Sequence, residues 1–268
     1  MFKQITSPNN PEIKSLLLLQ EKARERKKTG SFVVEGLREI NLALSGGYTL
    51  QSLFFLPDLI NETTAPHIFQ QTPHMVAINM EVYRKIAYRE STEGIIALFK
   101  TKEHHLENLK FNSQNPLILV AESPEKPGNI GALLRTADAA GLDAVILANP
   151  TTDFYNPNVI RSSVGCVFTN QLATGTTAEI IAFLHKKSIT LYTAALSEKA
   201  ENYLLQDYTQ ASAIIVGTES TGLTREWLDA AHKSILIPMR GKIDSMNVSV
   251  AASILVFEAM RQRSLDKF

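Results

Sequence analysis

From Leu117 onward the chain repeats one pattern, a short apolar run, a turn, and then a segment with apolar residues at helical spacing. The apolar runs are Leu117–Ala121, Ala144–Leu147, Ile189–Ala194, Ala213–Val216 and Ile235–Ile237. Helical periodicity follows at Ile130–Ala140, Thr177–Lys187, Thr224–Ala231 and Asn247–Gln262. Runs apolar on both faces are strands buried on both faces, and strands joined through helices run parallel. The pattern predicts an α/β fold whose C-terminal part is a mostly parallel sheet with helices on both faces. In the last helix Val248, Ala251, Ala252, Leu255, Val256 and Ala259 share an apolar face. Arg261 and Arg263 sit near its C-terminal end, where cations complement the helix dipole.

The N-terminal part predicts a smaller α/β domain over residues 1–100. Asn10 before Pro11 is an N-cap with proline at the first helical position, and Gly30 is the expected helix stop. Phe32–Val34, Leu53–Leu56, Met75–Ile78 and Ile95–Phe99 read as strands, and Leu37, Ile40 and Leu44 as a helix ended by Gly46-Gly47. Residues 101–115 turn polar and read as a linker, leaving 116–268 as the second domain. The paired His104-His105 point apart on any regular element and read as solvated linker histidines rather than metal ligands, so no metal is expected.

Composition removes several classes of function. The 268 residues are 44% hydrophobic and 20% charged, enough to bury a core, and Lys plus Arg balance Asp plus Glu at 27 each. That excludes a strongly basic nucleic-acid coat protein but allows a nucleic-acid enzyme with a local basic patch. The one cysteine, Cys166, cannot make an intramolecular disulfide or a cysteine-based zinc site. No run approaches the roughly 18 apolar residues of a membrane span, and the start lacks a secretory apolar core, so a soluble cytoplasmic protein is expected. The local basic excess is Lys22, Arg24, Arg26, Lys27 and Lys28, opposed by Glu25. Such a run is ordinarily a solvated helix end; its alternative is contact with a phosphate backbone.

Ligands of parallel sheets bind beyond the carboxyl ends of strands, and three such ends carry chemistry here. After Leu117–Ala121, a turn with Gly128 and Gly131 opens a helix bearing Asn129 and Arg135, which project from roughly similar faces. The spacing is not a dinucleotide fingerprint, which argues against a dinucleotide-dependent oxidoreductase. Arg135 sits among Ile130, Leu133, Leu134 and Ala137, a setting that favours an anionic partner. After Ala213–Val216 comes Gly217-Thr218-Glu219-Ser220-Thr221-Gly222, in which two glycines around a carboxylate allow close approach of a ligand. After Ile235–Ile237, a loop with Met239, Ile243 and Met246 enters a helix of small residues, with its N-cap at Ser245 or Asn247.

Taken in order, Asn129-x-Gly131-x-x-x-Arg135-x-Ala137, Gly217-x-Glu219-x-x-Gly222-Leu223 and Ile237-Pro238-Met239-x-Gly241-x-x-x-Ser245-x-Asn247-Val248-Ser249 resemble the three motifs of the SpoU-type (TrmH-type) RNA ribose methyltransferases of the SPOUT superfamily. Asn156-Pro157-x-Val159-Ile160-Arg161-x-Ser163-x-Gly165 resembles the family's middle segment. The N-terminal part is similar to its ribosomal-protein-like substrate-binding domain, at Phe32–Gly36 and Glu93–Leu98. Thr218, Ser220 and Met246 depart from the commonest family residues.

The resemblance implies a deep C-terminal trefoil knot, a homodimer with sites at its interface, and S-adenosylmethionine as cofactor. It implies Gly217, Ile237 and Met246 at the cofactor, with backbone groups holding adenine and apolar walls around it. Arg135 matches the catalytic arginine, with Asn129, Glu219, Ser245 and Asn247 orienting it and the RNA. Lys22, Arg24, Lys27, Lys28 and Arg161 are the expected RNA contacts. The implied activity is methylation of a ribose 2′-hydroxyl, with the N-terminal extension favouring ribosomal RNA. A tRNA-directed enzyme and a non-catalytic RNA-binding factor are the alternatives.

Overall fold

Asn10 and Pro11 open the first helix as their chemistry dictates, with the Asn10 carboxamide oxygen accepting the Glu12 N–H at 2.9 Å. The computed structural model describes residues 3–88, 93–197, 199–218, 221–243 and 245–264. The chain divides into two compact units, Met1–Glu103 with Asp153–Thr169, and His104–Thr152 with Asn170–Phe268. Among the described residues no helix is long and apolar enough to cross a membrane.

In the first unit, strand β1 (Lys3–Ile5) precedes α1 (Pro11–Glu21) and α2 (Ala23–Thr29). The expected single helix ending at Gly30 is broken at Lys22, which is extended (φ −119°, ψ 112°), and only α2 stops at Gly30 (φ 61°). Arg26, 3% exposed, explains the break. Its Nη1 donates to the carbonyls of Leu19 (2.7 Å) and Gln20 (3.2 Å), which end α1. Its Nε and Nη2 grip both Asp153 oxygens at 3.0 and 2.6 Å. A continuous helix would carry Arg26 past those carbonyls.

Strands β2 (Ser31–Glu35), β3 (Leu50–Phe55), β4 (Met75–Ile78) and β5 (Ile95–Lys100) alternate with helices α3 (Leu37–Ser45), α4 (Pro66–Gln70) and α5 (Met80–Ile86). The sheet order is β1-β4-β3-β5-β2, with β5 antiparallel to both its neighbours and the other pairs parallel. Ile13 and Leu16 of α1 pack with Val33, Phe54, Val76 and Ile96 in its core.

The second unit begins with β6 (Leu117–Glu122), α6 (Pro127–Ala140) and β7 (Ala144–Ala148). The chain then enters the first unit for residues 153–169, which include α7 (Pro157–Ser162). Tyr155 stacks on Phe32 at 4.1 Å between ring centroids, and Phe168 meets Tyr48 edge-on at 5.2 Å. Burial pushes the Tyr155 phenol far above its ordinary range, keeping it neutral, and it accepts the Lys102 N–H at 2.9 Å. The chain returns to build β8 (Leu172–Gly175), α8 (Thr177–Lys186), β9 (Thr190–Ala194), β10 (Glu201–Asn202), β11 (Ser212–Val216), α9 (Arg225–Ala230), β12 (Lys233–Leu236) and α10 (Val248–Ser264).

All seven strands are parallel, in the order β10-β12-β9-β11-β6-β7-β8. Ile118 and Val120 of β6 bury one face against Ile180 and Leu184 of α8 and Trp227 of α9. Helices α6 and α10 pack together, joined by the Thr136 and Ser253 hydroxyls at 2.8 Å. The stretch read as a linker is not free from His104 on: Leu106 and Leu109 enter the α8 core, and the His104 carbonyl accepts the Thr174 N–H at 2.8 Å. Two leucines three residues apart and the open edge of β8 supply the reason. His104 itself lies near the Leu172 carbonyl, at 3.3 Å from Nδ1.

The Arg26 arrangement predicts its own cost of removal. Arg26→Met leaves Asp153 and two helix-ending carbonyls without donors and is expected to lower unfolding stability by about 3 kcal/mol. Arg26→Lys, lacking the planar fork, should recover only part of this. Urea unfolding followed by circular dichroism measures both, and a wild-type midpoint in Arg26→Met would refute the account.

Candidate functional site

The turn after β11 is held closer than any side chain allows. A Cβ on Gly217 would lie 2.3 Å from the Gly222 carbonyl carbon, 2.4 Å from its oxygen and 2.6 Å from Leu223 N. Thr218 and Gly222 close the turn with two backbone bonds, 3.2 and 3.1 Å, and Gly222 takes φ 68°. The Thr218 hydroxyl accepts the Thr221 N–H at 3.1 Å and lies 2.8 Å from the Thr221 hydroxyl. Threonine here therefore stiffens the turn from within.

Around this turn lies a cleft of three cavities that share walls. The largest, about 510 Å³, has Gly217 and Leu223 on one side, Ala195 beyond β9 on another, and Ser245, Met246 and Ala251 opposite. A second, about 140 Å³, continues past Met246 to Ile237, Met239 and Leu255. A third, about 200 Å³, shares Gly217, Thr218 and Val248 and reaches Glu122, Lys126 and Asn129. Asn247 donates from Nδ2 to the Asn129 carboxamide oxygen at 3.1 Å, and its own oxygen accepts the Ser249 N–H at 3.0 Å, capping α10.

The fold thus gathers Gly217, Ile237, Ser245 and Met246 around one cleft, with Asn129 and Asn247 paired beside it. Arg135 is not among them. It lies on the exposed face of α6, with no hydrogen bond or ion pair among the described residues. Ile130, Leu133, Leu134 and Ala137 take the buried face, so the apolar setting read from sequence does not surround the guanidinium. Glu219 lies outside the described residues. Lys22, Arg24, Lys27 and Lys28 are exposed around α2 in the first unit, where Arg161 is exposed 6.0 Å above the Tyr88 ring.

Sequence reasoning passes over Glu122. This carboxylate ends β6, is 2% exposed, and accepts three hydrogen bonds, from Thr224 N (2.8 Å), Thr224 Oγ1 (2.8 Å) and Thr177 Oγ1 (3.2 Å). The available signal was an acid closing an otherwise apolar strand, since a buried carboxylate needs donors. The next residue, Ser123, and Asn149 beyond β7 both adopt left-handed backbone (φ 42° and 46°), uncommon outside glycine and concentrated at ligand sites.

Chemically, the cleft combines apolar walls, small side chains and backbone that a ligand can approach closely, at the carboxyl ends of parallel strands. That defines a site for a flat ring carrying polar edges. Residues 116–257 match the SpoU rRNA Methylase family and residues 10–97 the MRM3-like substrate binding domain. The chain belongs to the SpoU rRNA methylase family.

It is 29% identical to the 23S rRNA (guanosine(2553)-2′-O)-methyltransferase RlmP of Bacillus subtilis, over 96% of this chain and 98% of that one. It is 35% identical to a tRNA (guanosine(18)-2′-O)-methyltransferase of Thermus thermophilus, over 65% of this chain and 86% of that one. An AdoMet-bound rRNA methyltransferase from Sinorhizobium meliloti superposes with a TM-score of 0.88 at 28% identity, covering 97% of this chain and 98% of that one.

The close approach at Gly217 is directly testable. Gly217→Ala meets backbone on all three sides and is expected to lower stability by about 1–3 kcal/mol. Gly241→Ala, with nothing within 4 Å of its Cβ, should stay within about 0.5 kcal/mol of the parent. Thermal unfolding of the two variants compares them; equal midpoints would mean that the turn yields without cost.

Proposed function

We propose that the chain is an S-adenosylmethionine-dependent enzyme that methylates a ribose 2′-hydroxyl in structured RNA, with ribosomal RNA as the substrate class. The observation that carries this is the cleft itself, in which Gly217, Ile237 and Met246 meet beside the Asn129–Asn247 pair in a SpoU-family chain. Ribosomal RNA is favoured because the likeness to RlmP runs through the substrate-binding part, whereas the likeness to the tRNA enzyme covers 65% of the chain. The 35% identity of that enzyme keeps tRNA as the second reading.

Bound in the cleft, S-adenosylmethionine supplies an activated methyl for in-line displacement. Gly217 admits the adenine edge to backbone groups, and Ile237 and Met246 wall the ring. Asn129 and Asn247 fix each other, so their remaining polar groups meet the RNA already oriented. Ser245 stands exposed at the mouth between two of the cavities. Glu219 takes its expected orienting role from the family resemblance alone. Arg135 presents a planar fork of donors and no acceptor; it grips a phosphate and stabilises charge on the attacking oxygen.

Because Arg135 does not line the cleft of its own chain, the reading extends to a homodimer in which it serves the partner's site. Exposed Val250 (50%) and Phe257 (49%) on α10, the helix packed on α6, support a dimer face there. The family's C-terminal trefoil knot and a cytoplasmic location belong to the same reading.

Incubation with methyl-labelled cofactor and either ribosomal RNA or tRNA, followed by mass spectrometry of the nucleosides, tests it. A 2′-O-methylated nucleoside in ribosomal RNA is expected. Cofactor binding without transfer to either RNA would return the protein to an RNA-binding factor. Arg135→Ala should retain fold and cofactor affinity while transfer falls by about 10²–10³, and Arg135→Lys should rescue little. Mixed dimers with a cofactor-dead partner read whether the arginine acts across the interface; wild-type turnover in Arg135→Ala would remove it from the mechanism.

The exposed cations make a separate prediction. Neutralising Lys22, Arg24, Lys27 and Lys28 together should weaken RNA binding and flatten its dependence on salt, leaving cofactor affinity unchanged. An unaltered salt slope would make the run an ordinary solvated helix surface.

A further inference from the structure

Glu122 has no part in the chemistry above, yet it accepts three hydrogen bonds at the edge of the cleft. Thr224 is the N-cap residue of α9, but its hydroxyl makes no cap bond to that helix. Instead both its hydroxyl and its backbone N–H go to Glu122. Thr224 directly follows the Gly217–Leu223 turn that walls the 510 Å³ cavity. The turn is therefore held at one end by its covalent join to β11 and at the other by Glu122. The oxygen that accepts the Thr224 hydroxyl, Oε1, has a second donor. Thr177 donates to it and accepts from Asn149 Nδ2 at 3.0 Å, so the ends of β6 and β7 and the start of α8 brace one another. A carboxylate suits the place because it presents only acceptors to one N–H and two hydroxyls.

We infer that Glu122 is a positioning residue for the cofactor: by clamping Thr224 it sets the Gly217–Leu223 turn at the separation from Met246 that S-adenosylmethionine requires. This rests on the methyltransferase reading above. The clamp depends on hydrogen-bond geometry rather than on charge. Glutamine can accept the Thr224 N–H with its oxygen and donate its amide to the two hydroxyls, whereas alanine can do neither.

Calorimetric titration of S-adenosylmethionine into the wild type, Glu122→Ala, Glu122→Gln and Thr224→Val tests the clamp, together with amide exchange of the turn in the cofactor-free protein. Glu122→Ala is expected to raise Kd about tenfold and to speed exchange over residues 217–224. Glu122→Gln should stay within about threefold of the wild type. The KM for the cofactor should follow Kd while kcat at saturating cofactor holds.

A lowered melting temperature with unchanged Kd in Glu122→Ala would make the residue a brace of the fold and overturn the inference. Should Glu122→Ala not fold, Thr224→Val removes one hydroxyl at an exposed position, and unchanged Kd and exchange there would overturn it equally. Absence of binding by the wild type would defeat the methyltransferase reading and this inference with it, a result distinct from failure in the variants alone.

Discussion

A parallel sheet covered on both faces leaves little of its backbone for a ligand. Strands β6, β7 and β11 are buried along their whole length, and their N–H and C=O groups are committed to neighbouring strands. Only where the strands stop do unpaired groups and changes of direction occur together. Glu122 and Gly217 stand at and just beyond the ends of β6 and β11, and Ile237 just beyond the end of the neighbouring β12. Each answers the same constraint differently: an acid that gathers loose donors, a glycine that lets two backbone segments touch, and an apolar side chain that closes a wall.

The turn after β11 shows how far substitution around such a constraint is tolerated. Gly217 is surrounded by backbone, which cannot move aside as a flexible side chain would. Thr218 uses its hydroxyl to hold Thr221. A departure from the commonest family residue is therefore compatible with the same turn, because the requirement at that place is a fixed shape rather than a missing side chain. Met246 meets its requirement by size alone, as an adaptable apolar side chain shared by two cavities.

Legibility in the sequence follows how local the cause is. Five strands of the parallel sheet declare themselves because a doubly buried strand must be apolar along a contiguous run. Strands β1, β8 and β10 do not: β1 buries only Ile5, β8 has four residues and β10 two. Residues 153–169 fall within the span read as one C-terminal domain, yet Tyr155 and Phe168 find their aromatic partners on β2 and beside β3. Nothing local announces that Asp153 pairs with Arg26, 127 residues away. Glu122 was hidden for a related reason: its donors, Thr177 and Thr224, come from distant parts of the chain. The site glycines and Asn247 were readable because turns and caps are set by neighbours in sequence.

Two arginines end in physical states opposite to those their sequence settings suggest. Arg26, within a basic run, spends Nε and both terminal nitrogens on protein acceptors and leaves the exposed lysines around it as the available cations. Arg135, within an apolar helix, is exposed and has no such acceptor among the described residues. A guanidinium already saturated by carboxylate and carbonyl oxygens gains little from an incoming phosphate, since it must first give up comparable bonds. One that is bonded only to water keeps its whole fork of donors, and an RNA that displaces that water lowers the local dielectric and strengthens the attraction. Exposure in the free protein is thus compatible with stabilisation of the reacting oxygen in the complex, because the interaction is withheld until the substrate supplies the anion and excludes the solvent.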